Sequence, residues 1–186
     1  HVLGNAATTN AASGTTTIKY RKAATEDDPA GEWTTDLATL TATEVADSCT
    51  IEVQATNPNY SNTATASATL TITPKAVTFT GETDTRDYTG SEIELTNVTT
   101  DGLVSGHTSN VTYSAKGTEV DEYPGTITDE TAVVIKDADN NDVTANYDIT
   151  TTAGKLTIQQ NSELTLTVSL ASSSYTYDAN AHALEN

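Results

Sequence analysis

The feature that most constrains this chain is an alternation of apolar and polar residues with a period of two. It is clearest in "SCTIEVQA" (48–55), where Cys49, Ile51, Val53 and Ala55 alternate with polar residues. Successive side chains of a strand point to opposite faces of a sheet, so this pattern predicts half-buried β-strands. We predict further strands from the same alternation at 15–21, 68–73, 76–80, 110–115, 131–137, 155–159 and 164–170.

Turn-forming sequences separate these segments, and no window shows a convincing helical period. "EDDPAGE", "NPNYSN", "DADNND" and "TTAG" are rich in the Asp, Asn, Pro and Gly that turns require. Short strands divided by such turns are typical of β-sandwiches. The sequence therefore predicts an all-β chain built from tandem Ig-like β-sandwich domains.

The charge balance excludes two classes of partner. The 186 residues carry 8 Lys and Arg against 26 Asp and Glu, a net charge of −18. Such a chain repels phosphate backbones and anionic lipids, so neither nucleic acid nor a membrane surface is expected as a partner. No apolar run approaches the roughly 18 residues that a membrane-spanning helix needs, so no membrane insertion is expected.

The inventory of catalytic residues is small. His1, His107 and His182 are the only histidines, and the sequence contains no nucleophile elbow, Gly-rich phosphate loop or CxxC motif. We therefore expect no enzymatic activity and no organic cofactor. Cys49 is the only cysteine, which rules out an internal disulfide, and its place in an alternating segment predicts a packing role.

An internal repeat divides the chain. Residues 75–97 align without gaps with residues 164–186, and although identities are few, the apolar positions keep step. The matched pairs are Val77 with Leu166, Phe79 with Val168, Tyr88 with Tyr177 and Leu95 with Leu184. A second correspondence concerns strand ends: an Asn-Tyr pair precedes a Leu-Thr-Ile strand at both 59–72 and 146–158.

These repeats predict three parts. Residues 75–160 form one complete Ig-like domain, residues 1–74 form a domain that lacks its first strands, and residues 161–186 carry the opening strands of such a domain. The sequence thus resembles a circularly cut repeat, in which the last part supplies what the first part lacks.

A sandwich without its first strands exposes an apolar face and an unpaired edge. We expect residues 161–186 to complete the first domain of a neighbouring copy, head to tail, by strand complementation. That copy is either a separate subunit or the next repeat of one polypeptide, and the alternative is a tail that is disordered or folds onto its own domain. The predicted contact residues are Leu164, Leu166, Val168, Leu170, Tyr175, Tyr177 and Leu184.

Two stretches resemble a known family. "NPNYSNTATASATLTITPKAV" (57–77) and "VVIKDADNNDVTANYDITTTAGKLTI" (133–158) are similar to the Ig-like repeats of large bacterial surface proteins, in particular the type called MBG domains. The series "IKY…GEWT…VQATNPNYSN" (18–62) resembles the module that commonly accompanies them. The resemblance implies an extracellular, cell-surface stalk, fibre or adhesin, with no enzymatic activity.

Two ligand sites are candidates. Asp137, Asp139, Asn141 and Asp148 occupy positions 1, 3, 5 and 12 of an EF-hand-like loop, and Asp142 stands where that loop has glycine. These five residues are a candidate Ca²⁺ site; the alternative is a polar turn between strands.

Trp33, with Tyr20 nearby in sequence, is a candidate platform for stacking on a sugar ring. The alternative to a structural role is accordingly an adhesin module that binds a glycan or a protein receptor on a host surface. A lone Trp that packs over the edge of a sandwich is the competing interpretation.

Overall fold

The structure, a computed structural model, describes residues 7–183. In this range the chain is all-β, as predicted, with several small sheets and only single-turn helices. None of the helices in the described range is long and apolar enough to span a membrane.

The strands follow one another with short connections. Their bounds are β1 Thr17–Lys22, β2 Cys49–Thr56, β3 Ala64–Leu70, β4 Lys75–Gly81, β5 Asp84–Asp87, β6 Ile93–Leu95, β7 Val98–Asp101, β8 Thr108–Ser109, β9 Tyr113–Gly117, β10 Glu122–Pro124, β11 Thr126–Ile127, β12 Ile135–Lys136, β13 Tyr147–Thr152 and β14 Lys155–Gln159. Single turns of 3-10 helix lie at Leu37–Thr39, Val45–Asp47, Glu130–Ala132 and Thr144–Asn146.

The sheets fall into two groups along the chain. Strands β1, β2 and β3 form one antiparallel sheet in that order, and we call residues 7–74 the first unit. Strands β4 to β14 share the other sheets, in the orders β10-β14-β5, β11-β9-β6, β12-β8 and β13-β4-β7, and we call residues 75–160 the second unit. The remaining described residues, 161–183, form the tail.

Most of the predicted strands are present. Those at 15–21, 48–55, 76–80 and 155–159 correspond to β1, β2, β4 and β14, whereas β3 begins and ends earlier than its predicted 68–73 and β9 begins later than its predicted 110–115. In the segment 131–137, Thr131 and Ala132 end a helical turn, and only Ile135 and Lys136 form a strand, β12.

The strand predicted at 164–170 is absent from the single chain. Its alternation of Leu and Val with Thr and Ser is suited to a strand, but a strand needs a neighbour to receive its backbone hydrogen bonds. The prediction of a strand here is therefore wrong for the isolated chain.

The second unit has two adjoining cores. Val77 and Phe79 of β4 pack in the first core with Ile135 and Tyr147. The second core contains the buried Leu95, Tyr113, Ala115, Leu156 and Ile158. Val98 and Ile127 pack against both cores. The chain thus enters this unit beside the first core, at β4, and leaves it beside the second core, at β14.

The connection from β4 to β5 passes close to an aromatic ring and requires a glycine there. The ring of Tyr113 lies where a side chain at Gly81 would start, and the Tyr113 hydroxyl donates a hydrogen bond of 2.7 Å to the carbonyl oxygen of Glu82. Burial, with Glu82 nearby, raises the pKa of the Tyr113 hydroxyl. A residue without a side chain at position 81 therefore lets the chain pass over the ring from one sheet to the next.

A hydrogen bond joins the first unit to the second. The backbone amide of Val45, in a helical turn of the first unit, donates to Oδ1 of Asn146 at 2.7 Å. Asn146 immediately precedes β13, whose Tyr147 belongs to the first core. The first unit therefore contacts the second unit just before β13, whose first residue lies beside the first residue of β4.

The same substitution at a buried and an exposed strand-like position gives a direct test of these packing assignments. Val77→Ala should lower the free energy of unfolding of the second unit by about 2–3 kcal/mol, because it removes two buried carbons and leaves a cavity. Val168→Ala, in the tail, should change it by no more than about 0.5 kcal/mol in dilute protein. Urea unfolding of both variants checks this, and equal losses would contradict the assigned burial.

Candidate assembly site

The tail leaves the second unit at the outer end of β5 and β14. Asn161 fixes this exit, because its side-chain amide donates to the carbonyl oxygen of Tyr88 at 3.1 Å. Asn161 also accepts hydrogen bonds from the backbone amides of Glu163 and Leu164, at 2.9 and 3.1 Å. Beyond this turn, residues 164–177 form no regular secondary structure.

The apolar side chains of the tail face solvent. Leu166 and Val168 are 101% and 96% exposed. The other predicted contact residues in the described range are exposed as well, namely Leu164, Leu170, Tyr175 and Tyr177. Leu184 lies outside the described residues. Large apolar side chains exposed together along one segment are unusual for a soluble monomer and typical of a binding surface.

The matched positions of the second unit have the opposite environment. Val77 and Phe79, which align with Leu166 and Val168, are 1% and 0% exposed. They are buried because β4 is hydrogen-bonded between β13 and β7 and its inner face meets the first core. Matched apolar positions are therefore buried where partner strands are present and exposed where no partner strand is present.

The turn near the end of the tail has the same local geometry as its counterpart in the second unit. Gly90 has a φ of 78°, and the Thr89 hydroxyl accepts a hydrogen bond from the amide of Ser91 at 3.3 Å. In the tail, Ala179 has a φ of 65°, and Oδ1 of Asp178 accepts from the amide of Asn180 at 2.9 Å. Hydrogen bonding from Asn180 lowers the pKa of Asp178.

A small aromatic contact stabilises the end of the tail. The rings of Tyr175 and His182 stack with centroids 4.3 Å apart, and the Tyr175 hydroxyl donates to the carbonyl oxygen of Ala183 at 2.8 Å. Nε2 of His182 lies 2.9 Å from Oδ1 of Asp178. The tail therefore carries an organised turn even without a partner sheet.

The first unit has an apolar sheet face that is covered only at one end. The register places every second residue of β3 beside every second residue of β2 on the same face: Leu70 with Cys49, Ala68 with Ile51, Ala66 with Val53 and Ala64 with Ala55. Leu70 and Ile51 are buried in the core of this unit, and the half-buried Cys49 packs against it. Ala64, Ala66 and Ala68 are exposed.

The loop before β2 explains why one end is covered. Leu37, Leu40 and Ala42 pack on Tyr20 and its neighbours in this core, whereas Ala64 and Ala66 at the other end of the face are exposed. There, an open groove is lined by Val53, Ala55, Ala64, Thr65 and Ala66 together with residues 7–10. Val53 and the three alanines are its apolar floor.

The same strand also has an open edge. In the described part of the chain β3 pairs with β2 alone, so its outer edge, the one facing away from β2, has no strand beside it. Uncovered edges of this kind are the usual sites of strand addition. Sequence reasoning foresaw the unpaired edge but did not single out the alanine groove, although the alternation in "ATASATL" (64–70) is its signal.

In the candidate calcium loop, the carboxylate of Asp137 already accepts hydrogen bonds from within the loop. Oδ1 of Asp137 accepts from the amides of Asp139 and Asn141, and Oδ2 accepts from the side chain of Asn141. Asp142 likewise accepts from Thr144, and Asp148 lies apart from the loop, in β13. Within residues 7–183 no group of three His, Cys, Asp or Glu side chains is placed to hold a metal ion. Calcium binding stays a prediction.

The two residues of the candidate sugar platform, Tyr20 and Trp33, lie in different environments. Tyr20 is buried in the core of the first unit, and its hydroxyl accepts a hydrogen bond from the amide of Ala7. The guanidinium of Arg21 lies 4.4 Å from the ring centroid of Trp33 and is also paired with Glu52 at 2.7 Å. A sugar would therefore meet Trp33 without Tyr20 and beside an occupied cation, and glycan binding stays a prediction.

Comparisons with known proteins found no similar protein. No protein-family model matches the chain, and no curated protein or solved structure is significantly similar to it. The resemblance to bacterial Ig-like surface repeats therefore stays a prediction from the sequence motifs.

The hydrogen bonds of the 137–142 loop predict a pH dependence. Those from Asn141 come first among the causes that lower the pKa of Asp137 from its usual 3.8. A lowered pKa in the folded state stabilises the fold above the unfolded value, and this contribution is lost as the pH falls through the folded value. In Asp137→Asn, the melting temperature should therefore fall less steeply below about pH 4 than in the wild type.

Thermal unfolding across this pH range checks the expectation. Asp148→Asn, which removes the same charge outside the hydrogen-bonded loop, is the matched control and should keep the steep wild-type profile. Identical profiles for Asp137→Asn and the wild type would show that these hydrogen bonds do not persist in solution.

Proposed function

We propose that this protein is a non-enzymatic, extracellular structural element whose copies join head to tail, the tail of one copy completing the first unit of the next. The observation that supports this most directly is the contrast between Leu166 and Val168, which are exposed, and the matched Val77 and Phe79, which are buried. The extracellular, surface-fibre setting rests on the resemblance of the loop motifs to bacterial surface repeats.

The energetic reason for joining is burial of apolar surface. Each Leu or Val of the tail that becomes covered contributes about 1.5–3 kcal/mol. Ordering the tail and bringing two molecules together opposes this by several kcal/mol, of the order of 4–15. Four large aliphatic side chains at 164–170 would contribute about 6–12 kcal/mol on this scale, which is comparable to the opposing cost. The new backbone hydrogen bonds at a strand edge add to this contribution.

The reach of the chain supports an acceptor in another copy. Lys75 to Asp87, across β4 and β5, spans about 35–40 Å at about 3.3 Å per residue. From Gln159 to Leu164 the chain extends at most about 18 Å. Leu164 can therefore come no closer than about 20 Å to Lys75, where the chain enters the second unit from the first, when β4 and β5 run end to end.

Such a contact joins different surfaces of the two partners. A heterologous contact of this kind leaves a free tail at one end and a free groove at the other, so it continues into a filament unless the rotation closes a ring. A net charge of −18 per copy opposes association, and added salt screens that repulsion. Assembly should therefore strengthen from low to moderate ionic strength.

Charged substitutions in the tail test the proposal. Leu166→Asp combined with Val168→Asp should abolish concentration-dependent assembly, because two carboxylates cannot be buried against an alanine-lined face without a large desolvation cost. Analytical ultracentrifugation over a dilution series provides the measurement. Val120→Asp, at an exposed apolar residue of the second unit, is the control and should assemble like the wild type.

Two results would overturn the proposal. One is a wild-type chain that stays monomeric at every concentration and salt tested. The other is unchanged assembly of the doubly substituted tail variant. Because the substituted side chains are fully exposed in the single chain, the monomer should retain its circular dichroism spectrum and melting temperature, which separates lost assembly from lost folding.

A further inference from the structure

We infer that the tail adds along the outer edge of β3 and the segment leading into it as a parallel strand, with residues 164–170 alongside residues 60–66 of the next copy. Residues 60–63 precede β3 and include a bend, and Ala64 to Ala66 are its first three residues. This inference rests on the proposed head-to-tail assembly and specifies its partner edge, direction and register. In this register Leu166 lies beside Asn62, Val168 beside Ala64 and Leu170 beside Ala66.

The direction follows from the second unit, where opening strands pair in parallel with closing strands. β4 pairs in parallel with β13, from Lys75 beside Tyr147 to Thr80 beside Thr152. β5 pairs in parallel with β14, from Asp84 beside Leu156. Two successive opening strands therefore use the same parallel arrangement, and the tail repeats the sequence of these opening strands.

The register follows from matching both partners. Leu164 of the tail aligns with Lys75, the first residue of β4. On the acceptor side, the Asn-Tyr pair 59–60 matches the pair 146–147, so Tyr60 takes the place of Tyr147. Transferring the observed pairing of Lys75 with Tyr147 places Leu164 beside Tyr60. The Leu-Thr-Ile end of the same correspondence gives a register shifted by one residue, because Leu70 follows Asn59 by eleven positions and Leu156 follows Asn146 by ten. The direction of the side chains decides between the two registers.

The direction of the side chains agrees with this register. Paired residues of neighbouring strands point to the same face of a sheet, and a slip by one residue turns every side chain over. Ala64 and Ala66 lie on the apolar face of the first unit with Val53 and Ala55. In the inferred register Val168 and Leu170 share that face, whereas a one-residue slip would turn them towards solvent.

The size of the groove residues also fits. The groove floor consists of Val53 and three alanines, which leaves room for Leu and Val side chains next to them. At the end of this segment the tail carries Leu170 where the second unit has Gly81, the glycine required by the ring of Tyr113. Beside Leu170 the first unit offers Ala66, so the larger side chain can be accommodated.

Disulfide trapping between copies distinguishes the possible arrangements. Thr63 and Thr65 of the acceptor and Thr167 and Ser169 of the tail alternate with the residues that face the apolar side of the sheet, and Thr65 also borders the groove. Cysteines at these four positions leave Ala64, Ala66, Val168 and Leu170 unchanged. The parallel register places Thr167 beside Thr63 and Ser169 beside Thr65. An antiparallel strand with Val168 beside Ala64 would instead place Ser169 beside Thr63 and Thr167 beside Thr65. An antiparallel strand with Val168 beside Ala66 would link Ser169 with Thr65 but not Thr167 with Thr63, so the parallel direction requires linkage of both of its pairs.

The experiment mixes two full-length copies in a Cys49→Ala background, each with one new cysteine: Thr63→Cys or Thr65→Cys in one copy, and Thr167→Cys or Ser169→Cys in the other. Cross-strand neighbours fall within the roughly 4.4–6.8 Å between Cα atoms that a disulfide requires. We expect mild oxidation to double the apparent mass for the two parallel pairs and not for the two antiparallel pairs. Mass spectrometry of the linked peptides identifies each bond.

Each outcome has a distinct meaning. Linkage of the antiparallel pairs, or of neither set in samples that still sediment as assemblies, would overturn the inferred direction and register while leaving the head-to-tail assembly intact. Absence of linkage in samples that sediment as monomers, in a Cys49→Ala parent that is also monomeric, would overturn both. Linkage confined to the parallel pairs supports both.

Discussion

The structure depends on the pairing of strands that open a domain with strands that close it. In the second unit, β4 lies in parallel beside β13 and carries Val77 and Phe79 into the first core. Neither half of this arrangement is stable alone, because an isolated strand has unpaired backbone groups and an exposed apolar face. The fold of the second unit therefore follows from bringing together segments that are about seventy residues apart, a separation set by the chain itself.

We propose that the other two parts of the chain each contain half of such an arrangement. The first unit keeps its closing strands and an alanine-lined groove, and the tail keeps the opening segment with its exposed Leu and Val residues. In the second unit the matching turn at Gly90 is integrated into the fold, and in the tail the turn at Ala179 forms by itself through local hydrogen bonds. Local turn geometry is thus already set before a partner sheet is present, whereas the strand geometry of the tail is not.

The strands that sequence analysis placed well are those with strong alternation and one buried face, such as β2 and β14. Short strands such as β8 and β12 were missed or misplaced, because two residues are too few to show an alternating pattern. Such strands form only where a neighbouring strand supplies hydrogen bonds. Of the candidate site, the repeat predicted Leu166 and Val168 as contact residues; both are exposed in the single chain, and their contact with another copy stays a prediction. The groove on β3 was not, since alanines between threonines and serine are a weak apolar signal until the pairing with β2 places them on one face.

The sequence by itself determined the all-β class and the identity of the apolar face on each longer strand, because the period of two is a property of the extended backbone. Only the tertiary structure decided which of those faces are covered. Val77 and Leu166 occupy equivalent places in a repeated pattern, yet one is 1% exposed and the other 101%. Burial depends on which partner strands are within reach, and that is set by where each segment stands in the folded chain.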